Sequence, residues 1–496
     1  MAIRVRRLSE MEASDDRASF LPALSRLAAL RGDPDRRLSE FFSVAPTYVA
    51  RAPGRLDVMG GIADYSGALV LQLPLARSTY VILQRQAADR CDVASRRGDR
   101  WDFFGMELAP LVDGALRDRA SLAASFARAP NDRWAAYVIG VIQHCLHLAP
   151  DARRSPLPGF RILIESDVPE GKGISSSAAL EVATMAAVSA ACELNITSPD
   201  IAAACQLVEN EVVGAPCGIM DQMTSACGQR DRLLRLRCQP GTIEGQLEIP
   251  DGFRFYGIDS GLRHAVTGAD YGTVRTAAFM GYRIIADIVG LPAPYHDEHT
   301  LIDDPAWHGY LTNIPQAEFA ERFEPVLPET MSGVDFLTRY HGITDTVTRV
   351  DRARQYPIRR ATAHPIYEQA RVERFVELLG ELATRRDAAV ELGALMYASH
   401  ASYSSVGLGS TGTDRLVELV AAASQERGVF GAKITGGGSG GTVAVIGTDA
   451  AESVVREIAA VYAAEAGVAS DVFVDAGPGA EETGVLLIEH GARDSA

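Results

Sequence analysis

The chain has 496 residues, and its 48 lysines and arginines stand against 64 aspartates and glutamates, which gives a formal net charge of −16. A balance this acidic argues against a nucleic-acid-binding protein and against adhesion to anionic lipid, because both partners require a basic face. The length and the 47% of hydrophobic residues predict a globular chain of roughly two to four domains.

The seven cysteines are odd in number, and no two of them form a CxxC pair. This spacing is not that of a zinc ribbon or a thioredoxin-like site, and it favours free thiols in a reducing cytosol. The N-terminus has no apolar segment typical of a secretory signal, and the apolar stretch that starts at Ala178 is interrupted by Glu181 and Thr184. We therefore expect a cytoplasmic protein without a membrane partner.

In chain order, residues 1–45 are predicted to form a polar leader with a short helix near 21–31. From Thr47 the chain becomes β-branched and apolar, which predicts two strands joined by a turn-rich loop at 60–67. Further strands are predicted at 160–171 and 253–261, and helices at 175–194 and 199–213.

The second half of the chain contains a loop-rich stretch at 291–364, which is predicted to be an insertion or a lid. Amphipathic helices are predicted at 372–386 and 414–426, and a glycine turn between two strands is predicted at 432–447. Strands and helices are mixed irregularly, which favours an α+β architecture over a regular doubly wound sheet.

The sharpest local signal is the glycine- and serine-rich segment VPEGKGISSSAAL. Glycines allow the backbone to approach a ligand closely, and the free N–H groups and the dipole of a helix start attract an anion. The bare pattern predicts an anion site and a serine-capped turn about equally, and it is not a Walker A loop because glycine follows the lysine. The residues concerned are Gly171, Lys172, Gly173, Ser175, Ser176 and Ser177.

A second glycine run, GGGSGG at 436–441, matches G-x-G-x-x-G in its letters. The strand-like TVAVIG follows it, whereas a dinucleotide site needs a helix at that point, and we therefore exclude dinucleotide binding. The turn is predicted either to contact a ligand directly or to pack against another loop.

Two further segments place acidic side chains where they could do chemistry. GRLDVMGGIADYSG puts Arg55, Asp57 and Asp64 in a loop after a strand, which suits the recognition of a polyol or a solvated salt bridge.

VENEVVGAPCGIMDQ puts Glu209 on a predicted helix and Asp221 after a turn. An acid among apolar residues is costly without a partner or a function, although the simpler interpretation of Asp221 is a helix N-cap.

In this order, the four segments resemble those of the galactokinase branch of the GHMP small-molecule kinases. The resemblance runs from about Thr47 to the C-terminus, and the sequences of the motifs are similar to those in the kinase portion of plant L-arabinokinases. It implies a two-lobed α+β fold, with a ribosomal S5-like N-terminal lobe at 46–245 and a ferredoxin-like C-terminal lobe at 246–496. The leader at 1–45 precedes both lobes, and the loop-rich insertion lies in the second.

The resemblance also implies roles for the matching residues. Asp221 would be the catalytic base at the anomeric hydroxyl of a sugar, and Arg55 would pair with it and with the transferring phosphoryl group. ATP would lie on the glycine- and serine-rich loop, and Mg²⁺ would be held by Ser177, together with Ser176, and by Glu209. The predicted sugar-site residues are Asp57, Gly61, Ile62, Asp64, Gly218 and Tyr271.

The segment GRLDVMGGIADYSG, called the sugar loop below, departs from the sequences of that branch. Galactokinases have a Glu-His pair where Gly61 and Ile62 stand, and in them the pair contacts the C6 hydroxyl of galactose. L-arabinopyranose has the ring stereochemistry of D-galactopyranose without the exocyclic CH₂OH, so the loss of these polar groups predicts L-arabinose as the substrate. Asp57 stands where galactokinases carry asparagine, and we expect it to affect how Arg55 pairs with Asp221.

The predicted activity is phosphoryl transfer from ATP to L-arabinose, which gives β-L-arabinose 1-phosphate and ADP. The alternatives are a galactokinase with other C6 contacts and a sugar- and ATP-binding sensor without turnover. A uronate kinase is disfavoured, because its substrate would require a cation where Gly61 and Ile62 stand. A lid and an oligomer contact are equal interpretations of 291–364, and the sequence predicts no oligomeric state.

Overall fold

The computed structural model describes residues 5–7, 16–149, 159–262, 269–296, 299–423 and 425–489. Parts of the predicted regions lie outside the described residues: 1–4 and 8–15 of the leader, 150–158 of the N-terminal lobe, and 263–268, 297–298, 424 and 490–496 of the C-terminal lobe. Of these, 297–298 belong to the insertion and 424 to the helix predicted at 414–426. No helix in the described ranges is both long enough and apolar enough to cross a membrane.

Strands and helices are mixed along the chain, as the α+β prediction requires. The strands are β1 (Val5–Arg7), β2 (Thr47–Met59), β3 (Leu69–Gln86), β4 (Arg90–Arg97), β5 (Arg100–Glu107), β6 (Gly159–Ser166), β7 (Arg232–Arg237), β8 (Thr242–Glu248), β9 (Phe253–Asp259), β10 (Tyr295–His296), β11 (His299–Thr300), β12 (Met331–Ser332), β13 (Gln355–Tyr356), β14 (Val429–Ile434), β15 (Thr442–Thr448), β16 (Val472–Phe473) and β17 (Val485–Ile488).

The α-helices are α1 (Asp16–Leu30), α2 (Arg36–Ser39), α3 (Ala109–Val112), α4 (Arg119–Ala127), α5 (Ala136–Leu148), α6 (Ser176–Ala191), α7 (Ser198–Val208), α8 (Met220–Cys227), α9 (Ala269–Ile288), α10 (Gln316–Glu318), α11 (Gly333–Tyr340), α12 (Ile358–Glu381), α13 (Ala388–Ser405), α14 (Thr411–Ala422), α15 (Glu452–Ala466) and α16 (Ala480–Thr483). A 3₁₀ turn at Gly61–Ser66 and a π-helical turn at Glu209–Val213 flank the site described below.

Two sheets organise the described part of the chain. The first has the strand order β1-β17-β2-β3-β6-β4-β5, with β7 on β3 and β8 on β7, and its main core lies against α5, α6, α7 and α8. The second is antiparallel with the order β14-β15-β9-β16, and α14 and α15 pack on it. The last strand, Val485–Ile488, pairs with β2 and so returns to the first sheet, while the lobe boundary near residue 245 stays a prediction.

The leader is part of the packed structure. Phe20 of α1 and Leu38 of α2 are each 2% exposed, and they pack with Val49, Ile82 and Leu163 on the face of the first sheet opposite to α6. The predicted helix near 21–31 begins earlier, at Asp16. The polar composition of the leader hides this role, since only a few of its residues contribute to the core.

The stretch 291–364 has short strands and helices and shares an apolar core with α9 and α12. Trp307, Phe319, Phe323 and Phe336 are buried and pack against α9 and α12. The first turns of α12 also fall within this stretch, because the helix begins at Ile358 and carries a proline in its interior. The insertion is therefore a packed unit that rests on two long helices.

Candidate active site

Arg55 and Asp221, the predicted catalytic pair, form an ion pair where β2 meets α8. Nε and Nη2 of Arg55 lie 2.9 and 2.7 Å from Oδ1 of Asp221. Nη1 donates to the carbonyl oxygen of Gly173 at 2.7 Å. The side chain of Arg55 is 2% exposed and that of Asp221 is 21% exposed, so a ligand has access to the carboxylate. Asp221 is not the N-cap of α8, because Ile219 occupies that position.

The serine-rich segment forms a left-handed turn that leads directly into α6. Gly171, Gly173 and Ser175 have φ angles of 71°, 69° and 62°, and this conformation is costly for the serine. Ser175 is the N-cap of α6 but makes no capping hydrogen bond, and its buried hydroxyl has no partner among the described residues. A strained residue with an unpaired hydroxyl at the start of a 16-residue helix suits an anion better than a simple cap.

Lys172, the predicted phosphate contact, is paired with a carboxylate of the second sheet. Its Nζ lies 2.9 Å from Oδ2 of Asp259 at the end of β9. The glycine turn between β14 and β15 packs on the same loop, since Thr442 Oγ1 donates to the carbonyl oxygen of Lys172 at 2.8 Å. A Cβ on Gly441 would lie 2.8 Å from that oxygen. The turn thus supports the glycine- and serine-rich loop through close backbone contact, and a strand follows it, as predicted.

Ser177 and Glu209, the predicted metal ligands, lie close together. The hydroxyl of Ser177 is near enough to the carboxyl group of Glu209 to lower its pKa, and Nε2 of Gln222 donates to Oε2 of Glu209 at 2.6 Å. Burial raises the pKa of Glu209 to about 7, and Asp221 adds to this effect while Ser177 opposes it. Ser176 is the first residue of α6, one position before Ser177.

Asp64 and Gly218 meet beside the Arg55–Asp221 pair. A Cβ on Gly218 would overlap the carboxylate of Asp64, so only glycine fits there. Asp64 is 3% exposed, and its Oδ1 has no hydrogen-bond partner among the described residues. Burial raises the pKa of Asp64 to about 7, and the charge of Asp221 adds to this rise. Tyr271 is close enough for Asp64 to reinforce the rise in its pKa that burial causes.

Asp57, predicted as a sugar contact, lies in a closed ion pair with Lys433. Nζ of Lys433 lies 2.7 Å from Oδ2 of Asp57, and both side chains are 0% exposed. Gln72 and the backbone N–H groups of Gly61 and Gly436 also donate to the carboxylate of Asp57. Both carboxylate oxygens are thus bonded within the protein, at the junction between β2 and the glycine turn, and a contact of Asp57 with a sugar stays a prediction. Its charged partner is Lys433, not Arg55.

Gly61 and Ile62 are closed off by Tyr403 of α13. The hydroxyl of Tyr403 accepts a hydrogen bond from the N–H of Ile62 at 2.8 Å and donates to the carbonyl oxygen of Gly436 at 3.0 Å. Gly61 has a φ angle of 41°, and a Cβ there would overlap that hydroxyl. The side chain of Ile62 is fully buried in the apolar cluster around α9. The space that any side chain at position 61 would need is thus filled by Tyr403.

Sequence reasoning missed several side chains of this site. Glu181 is fully buried in α6 and shares Gln222 with Glu209, at 3.4 Å from Nε2. Tyr403 and Arg275 reach the site across 341 and 58 residues of chain, so no local pattern signals them. Lys433 lies three residues before Gly436, the first residue of the glycine turn, and an isolated lysine near that motif was the one signal available.

Comparison with protein families gives three matches. Residues 136–229 match the GHMP kinases N terminal domain, and residues 379–464 match the GHMP kinases C terminal domain. Residues 37–85 match the galactokinase galactose-binding signature. These segments contain the serine-rich loop, Asp221, the glycine turn and the sugar loop.

Two curated relatives match this chain over most of its length. An L-arabinokinase of Arabidopsis thaliana is 42% identical over 488 residues, which cover 89% of this chain and 47% of that protein. The chain thus spans about half the length of the plant relative. A galactokinase of Chloroflexus aggregans is 30% identical over 86% of this chain and 91% of its own length.

Among solved structures, the Lactococcus lactis galactokinase complexed with galactose has a TM-score of 0.68 at 19% identity and covers 92% of this chain and 98% of its own. The Methanococcus jannaschii mevalonate kinase has a TM-score of 0.52 at 15% identity and covers 86% of this chain and 97% of its own. At these identities the likeness establishes the fold, which is the two-lobed α+β fold expected from the sequence.

Proposed function

Because the chain belongs to the GHMP kinases, in the branch that includes the galactokinases, we propose that it transfers the γ-phosphoryl group of ATP to the anomeric hydroxyl of L-arabinose. The products are β-L-arabinose 1-phosphate and ADP. The observation that carries the proposal is the bridge made by Arg55, which pairs with Asp221 and donates to the carbonyl oxygen of Gly173. One guanidinium joins an accessible acid to a loop suited to phosphates.

In the proposed reaction the anomeric oxygen attacks the γ-phosphorus, the bond from that phosphorus to the β,γ-bridging oxygen breaks, and ADP leaves. The proton of the hydroxyl passes to the carboxylate of Asp221. Arg55 orients this carboxylate and presents positive charge to the transferring group. Phosphoryl transfer depends mainly on alignment and charge neutralisation, so one positioned acid beside a guanidinium is sufficient protein chemistry.

The phosphates of ATP are proposed to lie on the left-handed turn before α6. The free N–H groups and the dipole of this helix favour negative charge, and the unpaired hydroxyl of Ser175 offers a further hydrogen bond. Lys172 reaches a phosphate only by leaving Asp259, to which it is bound at 2.9 Å. The loop residues in this proposal are Gly171, Lys172, Gly173, Ser175, Ser176 and Ser177.

Magnesium is proposed to be held by Ser177, with Ser176, and by Glu209. Mg²⁺ in kinases is usually bound by one or two carboxylates together with the phosphates of the substrate. The hydroxyl of Ser177 and the carboxyl group of Glu209 lie close enough to interact, which fits this donor set. Among the described residues no group of three or more His, Cys, Asp or Glu side chains could hold a metal ion. When bound, the ion neutralises the charge of the phosphate oxygens.

L-arabinose is proposed because the sugar loop offers no polar side chain for an exocyclic arm. Gly61 has no room for a side chain beside Tyr403, and Ile62 is apolar and buried. The unpaired Oδ1 of Asp64 is available to accept a hydrogen bond from a ring hydroxyl, next to Gly218. The plant relative that is 42% identical is an L-arabinokinase, which supports the same sugar.

Galactokinase activity is the second candidate. It is favoured by the match of residues 37–85 to the galactokinase galactose-binding signature and by the Chloroflexus galactokinase, 91% of which is covered. An apolar loop rejects an added hydroxyl only weakly, so some turnover of D-galactose is expected even if L-arabinose is preferred.

The test is an ADP-release assay with ATP, Mg²⁺ and L-arabinose, D-galactose, D-galacturonate or D-glucuronate, run beside Asp221→Asn. We expect kcat/KM for L-arabinose to exceed that for D-galactose by about tenfold or more. Asp221→Asn is expected to lower kcat by about 10³-fold, since it loses a positioned base. A preference for D-galactose would indicate a galactokinase, and binding of ATP and sugar without turnover would indicate a sensor.

A further inference from the structure

The inserted segment reaches the proposed sugar site through one buried ion pair. Nε and Nη2 of Arg275, on α9, each lie 2.8 Å from a carboxylate oxygen of Asp345. The side chains of Arg275 and Asp345 are 7% and 4% exposed. The guanidinium is therefore held by both oxygens in a bidentate geometry that is shielded from water, the arrangement that fixes its orientation best.

Asp345 is itself fixed by its own segment. It accepts hydrogen bonds from the N–H groups of Val347 and Thr348 and from the hydroxyl of Thr348 at 2.6 Å. Burial raises the pKa of Asp345, but Arg275 and these donors outweigh that effect and hold the pKa below its ordinary value. The carboxylate that the insertion presents to Arg275 is therefore charged and immobile.

The remaining nitrogen of Arg275 points to the site. Nη1 donates to the carbonyl oxygen of Cys217 at 3.1 Å, directly before Gly218, whose backbone lies against Asp64. The guanidinium carbon also lies 5.7 Å from the centre of the Tyr65 ring, which packs edge-on against Tyr271 at 5.8 Å. One side chain thus contacts the turn and the aromatic wall that surround Asp64.

We propose that the Asp345–Arg275 pair is a positioning device for the acceptor sugar: through Asp345 the insertion holds the guanidinium that fixes the turn at 217–218 against Asp64. The proposal rests on the proposed function in naming a sugar as the ligand of that turn. A buried ion pair adds little stability compared with apolar packing. The presence of this pair is therefore better explained by the orientation that it gives to the guanidinium. In this arrangement the insertion is a fixed support of the site, not a lid.

The test compares Asp345→Asn with a matched control, Asp304→Asn. Asp304 lies in the same insertion, is 6% exposed, and accepts hydrogen bonds from Tyr282 and from the N–H groups of Ala306 and Trp307. We expect Asp345→Asn to raise KM for the sugar by about tenfold and to leave KM for ATP within about twofold. Asp304→Asn should change neither the KM for the sugar nor the KM for ATP. Equal changes in both variants, or a parallel rise in both KM values, would overturn the proposal.

A second readout does not depend on turnover. Cys217 is half-buried, so reagent access is restricted and its alkylation by iodoacetamide should be slow in the wild-type protein. Asp345→Asn should accelerate alkylation of Cys217, measured by mass spectrometry, and Asp304→Asn should not. If Asp345→Asn does not fold, Arg275→Lys, which keeps the charge but not the fork, is measured in its place.

The two readouts separate the two proposals. If the wild-type protein turns over no sugar, the proposed function fails and the labelling of Cys217 alone decides whether the pair fixes the turn. Faster labelling without a change in the KM for the sugar would show that the turn is held but does not position the acceptor, which overturns the inference. Unchanged labelling overturns it in every case.

Discussion

The two sides of the Arg55–Asp221 pair are built from different parts of the polypeptide. On the proposed phosphate side the contacts are made by backbone: the carbonyl oxygens of Gly173 and Lys172 accept from Arg55 and Thr442, and the glycine turn packs on them. On the proposed sugar side the walls are buried side chains from distant segments. These are Asp64, Asp57 with Lys433, Arg275 with Asp345, and Tyr403.

This difference has a consequence for how each side can change. A backbone-built loop depends on left-handed φ angles and close approach, so nearly any added Cβ disturbs it. A side-chain-built wall can change its ligand by exchanging one or two residues while the strands and helices stay in place. The transfer geometry and the choice of sugar are therefore separable in this fold.

The largest effect on the sugar side is expected from breaking the pair of Asp57 and Lys433. Asp57→Asn leaves a fully buried ammonium without its anion, which should lower the free energy of unfolding by about 3–5 kcal/mol. Lys433→Met should cost a similar amount, and the double variant should cost less than the sum, because no unpaired charge remains. Urea unfolding measures all three. If Asp57→Asn leaves the free energy of unfolding unchanged, the side-chain wall does not depend on this pair.

Gly61→Ala should have the next largest effect on the free energy of unfolding. Gly98 is the matched control, because its φ angle of 60° imposes a similar backbone strain while nothing lies within 4 Å of a Cβ built there. Gly98→Ala should cost about 1 kcal/mol, and Gly61→Ala should cost about 1–3 kcal/mol more because its methyl group overlaps the Tyr403 hydroxyl.

A background variant isolates that overlap. In Tyr403→Leu the ring and hydroxyl are absent, so the extra cost of Gly61→Ala over Gly98→Ala should shrink, as measured by urea unfolding. If the cost of Gly61→Ala is the same in both backgrounds, Tyr403 does not occupy the space of a side chain at position 61. The argument for a sugar without an exocyclic arm would then lose its structural support.

The same contrast explains what could be predicted from the sequence. Arg55, Asp221 and the serine-rich loop could be proposed as site residues because local turns and a helix start place them, and such features follow from a few neighbouring residues. The ion pair of Asp57 was not predicted, because its partner Lys433 is 376 residues away. Among the longer helices, α5, α9, α13 and α15 were not predicted; α13 is buried on one face only, but its exposed face also carries small apolar residues such as Ala394 and Ala398, which hides the amphipathic period in the sequence.

The pH dependence of stability tests whether Asp64 is a buried acid. Its pKa in the folded protein is about 7 against an ordinary value of 3.8, with burial as the main cause. A raised folded-state pKa favours folding at low pH, and this contribution is lost as the pH rises from about 4 to about 7. Wild-type stability should therefore fall relative to Asp64→Asn over this window, by up to about 1.4 kcal/mol per pH unit.

Urea unfolding at pH 5, 6, 7 and 8 measures this difference. Glu209 has a pKa of about 7 as well, but it is present in both proteins, so its contribution cancels in the comparison. Parallel stability curves for wild type and Asp64→Asn would show that Asp64 is ionised in the folded state over the whole range. The unpaired Oδ1 would then already face a charged or polar partner.

The smallest effect is expected at Lys172, the one charged side chain of the phosphate loop. Lys172→Met should raise KM for ATP by about threefold, since a partly exposed ammonium contributes on the order of 1 kcal/mol to a phosphate contact. Asp259→Asn keeps the hydrogen bond from the N–H of Gly261 but releases the ammonium, so it should lower KM for ATP. Opposite shifts would mean that ATP competes with Asp259 for Lys172. Shifts in the same direction would mean that Lys172 only ties the loop to β9, and the phosphate side would then be built from backbone alone.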